Sequence, residues 1–156
     1  MVFEYEWRVI MYKAMEISQY IVNWCNNNRT IITNLKLQKL LYFLQGEFCS
    51  IAGKRLIVDD FYAWRLGPVI PNVYSSFAMY SSFPLPSRDI DFQITDEHKE
   101  IIDNILRKYA YKSTWDLVDL SHQQDPWKYN YQIFGDKSLI PYQTIEQFFY
   151  GVNDNG

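Results

Sequence analysis

The chain has 156 residues and a formal net charge of -3 at pH 7, because 18 Asp and Glu residues outnumber 15 Lys and Arg residues. This acidity disfavours nucleic acid and anionic membranes as partners, since both attract basic surfaces. A hydrophobic content of 48% with 21% charged residues is typical of one globular domain and excludes intrinsic disorder. Aromatic residues reach 18%, and aromatic side chains supply both protein cores and protein–protein interfaces.

Several common classes of protein are disfavoured by simple sequence features. No stretch approaches the roughly 18–20 apolar residues of a membrane-spanning helix. The N-terminus lacks a basic segment followed by an apolar run, so no signal peptide is predicted. Cys25 and Cys49 are far apart, which indicates reduced thiols and a cytoplasmic protein. Because His98 and His122 lie far from both cysteines, we expect no metal site, and no motif indicates a cofactor.

The first part of the chain changes its hydrophobic period. Apolar and charged residues alternate from Phe3 to Val9, which predicts a strand-like extension over residues 1–11, with a disordered start as the alternative. From Ala14 the period is that of an amphipathic helix, which the asparagine run at residues 26–28 should end.

A central apolar helix is predicted over residues 34–49, with Thr33 as its N-cap. Apolar residues cover so much of its circumference that it should have partners on more than one side. Gln38 and Lys39 interrupt this apolar segment, so they must share a narrow exposed strip or find partners inside the fold.

Two short β segments are predicted after this helix, at residues 56–58 and 61–65, paired around a turn at Asp59 and Asp60. Gly67 and Pro68 are expected to stop the second segment. Pro71 then suits the first turn of a short helix. Residues 81–91 are predicted to form a loop, followed by a strand in which Ile90, Phe92 and Ile94 alternate with polar residues.

The remaining chain is predicted to be helical. Helix starts are marked by capping residues or by proline in the first turn: Thr95, Ser113, Asp125 with Pro126, and Pro141. Gly151 should lie just past the end of the last helix. The predicted fold class is therefore mainly α, a single compact helical domain with a small β element.

The most informative group of residues combines Gln38 and Lys39 of the central helix with the turn at Gly67. Gln38 or Lys39 could bond the chain around Gly67 and Pro68 and thereby fix the turn against the central helix. We favour this structural role over catalysis. The functional alternative is that the helix and the turn together present a groove to a partner.

Enzymatic chemistry has one candidate residue. His122 lies between Asp119 and Asp125, so a small hydrolase-like enzyme that uses His122 as a general base is an alternative. A histidine that pins a helix junction is favoured, because no nucleophile or partner base is indicated. We therefore expect no enzymatic activity.

Three segments, taken in their order along the chain, resemble the motifs of a known family. They read ITNLKLQKLLYFLQGEF at residues 32–48, DDFYAWRLGPVIPNVYSSF at residues 59–77 and LVDLSHQQDPW at residues 117–127. Together they resemble the Panacea domain family of SocA-like antitoxins, which also includes phage-associated GepA-like proteins. The resemblance covers residues 12–150, and residues 151–156 are expected to form a flexible tail.

The resemblance implies an antitoxin that neutralises a cognate toxin by direct protein–protein contact. A proteolytic adaptor, which would deliver the toxin to the ClpXP protease, is the alternative within the family. The motif positions that the family resemblance marks as structural or partner-binding are Gln38, Lys39, Tyr42, Trp64, Arg65, Gly67, Pro68, Tyr74, His122 and Trp127. Four aromatic residues that the helix period does not bury form the expected partner surface: Trp64, Tyr74, Tyr129 and Tyr131.

Overall fold

The fold was analysed in a computed structural model, which describes residues 11–154. The strand predicted between Phe3 and Val9 lies outside the described residues. Within residues 11–154, no helix has the length and apolar character needed to cross a bilayer.

Seven α-helices and a three-stranded sheet make up the described part of the chain, which confirms the mainly α fold class. In chain order they are α1 (Ala14–Asn27), α2 (Asn34–Ala52), β1 (Phe61–Trp64), β2 (Gly67–Val69), α3 (Pro71–Phe77), a 3-10 turn (Ala78–Tyr80), α4 (Asp96–Tyr109), α5 (Thr114–Gln123), α6 (Asp125–Phe134), β3 (Ser138–Ile140) and α7 (Tyr142–Asp154).

Helix α2 is the centre of the fold, as its composition predicts. Every residue from 36 to 49 is buried, and α2 packs against α1, α4, α5, α7 and β2. The Thr33 hydroxyl accepts the backbone N–H of Lys36 and caps its start. Gly53 takes a left-handed conformation at its end and donates its N–H to the Cys49 carbonyl. The helix thus runs one turn beyond the predicted residue 49.

The sheet corrects the predicted β pairing. Strand β1 pairs in antiparallel fashion with β2, so that Trp64 lies opposite Gly67, and with β3 on its other side. The hairpin turn is therefore at Arg65 and Leu66. Gly67 and Pro68 lie inside β2 and do not end the sheet, because Pro68 sits opposite Ala63 at a position that needs no N–H bond to β1.

Residues 56–58 do not join this sheet because other groups take their backbone bonds. The Tyr12 backbone bonds the Leu56 carbonyl and the Val58 N–H, and side chains bond other backbone groups of the segment. The Gln45 amide accepts the Ile57 N–H at 2.8 Å and donates to the Ile57 carbonyl at 2.9 Å, as a neighbouring strand would. Arg55 donates to the Ile57 and Val58 carbonyls from the other side. Only an isolated parallel bridge between Tyr12 and Ile57 remains.

The strand predicted at residues 90–94 is also wrong, because this segment is an irregular loop. Its preceding residues are held by α1 side chains in place of a strand partner: Asn23 bonds both backbone groups of Arg88, and Asn26 donates to the Leu85 carbonyl. Strand β3 was not predicted. Helix α6 begins at Asp125, with Gln124 as its N-cap, one residue earlier than the cap prediction places it.

Helix α7 continues through Gly151 to Asp154, so the prediction that Gly151 lies past its end is wrong. The Asn153 amide donates to Glu47 at 3.2 Å and to the Ser50 hydroxyl at 2.7 Å, which ties the last turn to α2.

Gly46 allows α2 and α7 to approach closely. A Cβ at this position would lie 2.2 Å from two atoms of the Phe149 ring, much closer than real Cβ contacts. The ring is buried and also lies edge-on to Tyr42, so it has little freedom to move.

We expect Gly46→Ala to lower the free energy of unfolding by about 1–3 kcal/mol through overpacking. Gly151→Ala is the matched control, because its Cβ would enter open space in α7 and the change should stabilise the helix by up to about 1 kcal/mol. Urea unfolding followed by circular dichroism measures both. Equal stability of the two variants would contradict the close packing of α2 on Phe149.

Candidate partner-binding groove

An open groove of about 660 Å³ lies where the first turns of α2 and α5 approach the β1–β2 hairpin. Three aromatic side chains in its lining give it an apolar character: Trp64, Tyr74 and Trp115. Trp115 is 59% exposed and Tyr74 37% exposed, so both present apolar surface to solvent. We call this surface the aromatic groove.

The aromatic side chains of the groove are held by defined contacts. The Trp64 and Tyr74 rings meet edge to face with centroids 5.1 Å apart. The Lys137 ammonium lies 5.4 Å from the centroid of the Trp64 ring. The Asn34 amide, at the start of α2, donates to the Tyr74 carbonyl at 3.0 Å. The groove is therefore formed before any partner arrives.

The bonds predicted for Gln38 and Lys39 are present behind the groove. The Lys39 ammonium is completely buried and donates to the Pro68 carbonyl at 2.7 Å. The Gln38 carbonyl oxygen accepts the Ile70 N–H at 3.0 Å, and its amide donates to Asn34 at 3.1 Å. Both side chains thus fasten β2 to α2.

Burial lowers the pKa of Lys39 from its ordinary value of 10.5 to about 7. A lysine charge without water around it is costly, and one carbonyl compensates only part of that cost. Lys39 therefore holds β2 at the expense of some stability at low pH, where the ammonium must remain charged inside the fold.

Gly67 is required by both conformation and space. Its φ is +112°, a region that L side chains rarely adopt. A Cβ would meet the Ser121 hydroxyl at 2.7 Å and Cε of Lys39 at 2.9 Å. The turn can therefore lie directly on α2 and α5 only with glycine at this position.

The junction of α5 and α6 supports the same hairpin. The Trp127 indole N–H donates to the Trp64 carbonyl at 2.7 Å, and the Tyr42 hydroxyl donates to the Gln124 side chain at 2.8 Å. His122 stacks on Trp127 with ring centroids 4.0 Å apart.

His122 has the surroundings of a packed residue. Burial lowers its pKa, while the Arg65 backbone acts in the opposite direction. Its Nε2 atom is buried and has no hydrogen-bond partner within residues 11–154. The neighbouring Ser121 hydroxyl is buried and donates to the Val118 carbonyl at 2.8 Å. The stacking on Trp127 places His122 in the packing of the α5–α6 junction, and its predicted role in pinning that junction stays a prediction.

The predicted site residues separate into two layers around β2. Trp64, Arg65 and Tyr74 line the aromatic groove. The others form the support behind it: Gln38, Lys39, Tyr42, Gly67, Pro68, His122 and Trp127.

Two of the aromatic residues expected on the partner surface lie elsewhere. Tyr131 stacks on Trp127 with centroids 4.7 Å apart and is partly buried. Tyr129 is exposed and lines a separate depression between α6 and α7.

Sequence reasoning missed several residues of the groove, among them Trp115, Asn34, Asp136 and Lys137. Trp115 carried a usable signal, because it lies off the apolar stripe formed by Leu117 and Leu120 of its helix. Asp136 and Lys137 follow α6 in a turn, and no local pattern relates them to Trp64. Within residues 11–154, no three His, Cys, Asp or Glu side chains cluster closely enough to hold a metal ion.

Comparison with known proteins agrees with these motifs. The family model described as antitoxin SocA-like, Panacea domain, matches residues 37–128. The chain belongs to this family. The matched region contains Gln38 and Lys39 on α2, the β1–β2 hairpin and the α5–α6 junction, which lie at or behind the aromatic groove.

One curated relative of this Panacea chain is Antitoxin SocA of Caulobacter vibrioides (strain NA1000 / CB15N). The two proteins are 36% identical over an alignment of 110 residues, and the match covers 62% of this chain and 58% of the relative. The match therefore spans less than two thirds of the relative's length. No solved structure gave a significant match.

Gly67→Ala should lower the free energy of unfolding by more than Gly135→Ala. Both glycines have positive φ, at +112° and +91°, so each change carries a backbone cost of about 1–3 kcal/mol. Only Gly67 adds the contact with Ser121 and Lys39, because a Cβ at Gly135 meets no atom within 4 Å. Urea unfolding measures the difference, and Ser121→Ala combined with Gly67→Ala should recover part of it. Equal losses at the two glycines would contradict the close approach.

Lys39→Met should change how stability depends on pH. The folded-state pKa of about 7 lies below the unfolded value near 10.5, so the unfolded chain binds more protons between these values. The free energy of unfolding of the native protein therefore rises with pH across this window, by up to about 1.4 kcal/mol per pH unit, relative to Lys39→Met.

The measurement is urea unfolding of both proteins at several pH values between about 6.5 and 9.5, a range set by the window above. The exposed Lys99 provides the control, since the difference in the free energy of unfolding between Lys99→Met and the native protein should not change with pH. A flat difference for Lys39→Met as well would refute the lowered pKa.

Proposed function

We propose that the protein is an antitoxin that neutralises a cognate protein toxin by binding it directly at the aromatic groove. Membership of the SocA-like Panacea family supports the general role, and the relative from Caulobacter vibrioides is named an antitoxin. The observation that carries the proposed site is that the family motif from 59 to 77 supplies Trp64, Arg65 and Tyr74 to one open groove.

The support behind the groove favours binding of a partner. Lys39, Gln38 and the Trp127 indole each hold the backbone of the β1–β2 hairpin or of Ile70, which directly follows it. A surface fixed in this way loses little conformational entropy when a partner binds, so more of the contact energy appears as affinity.

Two further exposed apolar residues lie next in sequence to residues of the groove lining. Ala78, Ser81 and Ser82 form part of its lining, and the intervening or adjacent Met79 and Phe83 are 78% and 71% exposed. Aromatic anchors surrounded by further apolar area are typical of protein–protein interfaces. Such a surface suits sequestration of a protein, and the proposed mechanism invokes no catalytic residue. The cytoplasmic location indicated by the cysteines stays a prediction.

The test is co-expression of this chain with the product of the neighbouring gene, the natural candidate for the toxin. We expect growth to be rescued and the two proteins to purify as a complex. Continued toxicity without complex formation would refute the proposal.

Trp115→Ala tests whether the aromatic groove is the contact surface. We expect the Kd for the toxin to rise by about 30-fold, because an aromatic anchor at an interface contributes about 2 kcal/mol. Tyr129→Ala is the matched control, since Tyr129 is 53% exposed but lies outside the groove. Isothermal titration calorimetry gives both Kd values. A loss at Tyr129 and none at Trp115 would move the contact surface to α6.

Toxin half-life in cells separates sequestration from delivery to a protease. Sequestration leaves the half-life unchanged or longer when this chain is present. An adaptor for ClpXP shortens it, and only in cells with intact ClpXP. The same strains with and without this chain give both measurements.

A further inference from the structure

The aromatic groove is bordered by two cations that have no acidic partner among the residues that the structure describes. Arg65 and Lys137 both belong to its lining. Neither side chain forms an ion pair or hydrogen bond with a carboxylate within residues 11–154. Asp136 is the acidic residue of the lining, so the side-chain charge of the groove is positive although the whole chain carries -3. The sign of the groove is therefore opposite to that of the protein.

The first turn of α2, which holds no acidic residue, adds to this potential, whereas Asp116 offsets the positive end of α5. Thr33 and Thr114 belong to the groove lining, at the N-terminal ends of these two helices. Backbone N–H groups at a helix start carry partial positive charge, which reinforces the attraction of the two side chains for an anion. Because surface charges are screened by salt, this attraction should depend on ionic strength.

The geometry of β2 limits how a partner can bind. Its outer edge is occupied: Lys39 takes the Pro68 carbonyl, Gln38 takes the Ile70 N–H, and Pro68 has no N–H. A partner strand therefore finds no free backbone groups there with which to extend the sheet. The partner must bind through its side chains, with an apolar group against the aromatic residues and a charged group near Arg65 and Lys137.

We infer that the segment of the toxin bound by the groove is acidic, with a carboxylate that pairs with Arg65 or Lys137 next to a bulky apolar side chain that packs against Trp64, Tyr74 and Trp115. This inference rests on the proposed function and specifies the chemistry of the partner. Charge complementarity carries it, since two cations without a carboxylate partner in the described part of the chain flank an apolar surface on an otherwise acidic protein.

Charge reversal on the full-length complex tests the inference. Arg65→Glu and Lys137→Glu should each raise the Kd for the toxin about five- to tenfold, mainly by slowing association. Lys99→Glu is the control, because it makes the same change of charge on α4, beside a different depression. The Kd of the native complex should rise between about 50 and about 300 mM KCl, and the Kd of the Arg65→Glu complex should change less over the same range.

A charge swap then locates the carboxylate on the toxin. Each Asp and Glu of the toxin is replaced by Lys and tested against the Arg65→Glu and Lys137→Glu variants. At least one replacement should restore the Kd to within about threefold of the native value, a residual difference below 1 kcal/mol. We expect a Trp, Phe, Tyr, Leu or Met within four positions of that residue.

The possible results distinguish the inference from the proposed function. A complex that forms but is insensitive to both charge reversals, or that no swap rescues, overturns the acidic segment and leaves the antitoxin role intact. Absence of any complex with the toxin overturns both.

Discussion

The bond from the buried Lys39 ammonium to the Pro68 carbonyl is the interaction on which the candidate site depends. It joins α2, the central helix of the described residues, to β2, a strand of the hairpin that faces the groove. Gln38 repeats the connection two residues further along the backbone, at Ile70. Because these polar contacts have fixed geometry, they place the hairpin more exactly than apolar packing alone would. The same contacts therefore fix the position of the hairpin residues that line the groove.

This arrangement explains why one sequence motif holds both core and surface residues. Gly67 must lack a side chain so that Lys39 and Ser121 can lie against it, and Pro68 supplies the carbonyl that Lys39 needs. Trp64 and Arg65, in the same hairpin, instead face the groove. Residues that support the aromatic groove and residues that line it therefore lie next to each other in one motif.

Much of the fold could be predicted because helical signals are local. Thr33, Thr95 and Ser113 cap the helices that follow them, as their positions predict. The β pairing could not be predicted, because it depends on distant side chains. The Gln45 side chain bonds both backbone groups of Ile57, and asparagine side chains of α1 bond the backbone of the loop at Leu85 and Arg88.

The candidate site was predictable in a similar measure. The partners of Gln38 and Lys39 were foreseeable because buried polar groups must be satisfied. Lys137 and Asp136 were not, since they reach the groove only through the pairing of β3 with β1. Charges contributed by a turn distant in sequence leave no periodic pattern, so the electrostatics of the groove appear only in three dimensions.

The closed edges of the small sheet have a consequence for life in a crowded cell. Lys39, Gln38 and Pro68 block the outer side of β2, and the Asn130 amide donates to the Leu139 carbonyl on β3 at the opposite side. Exposed strand edges beside apolar surface are the usual starting points of aggregation. Here the protein displays a large aromatic surface and offers no open backbone ladder next to β2. The protein can therefore expose this apolar surface with a low risk of self-association through strand pairing at β2.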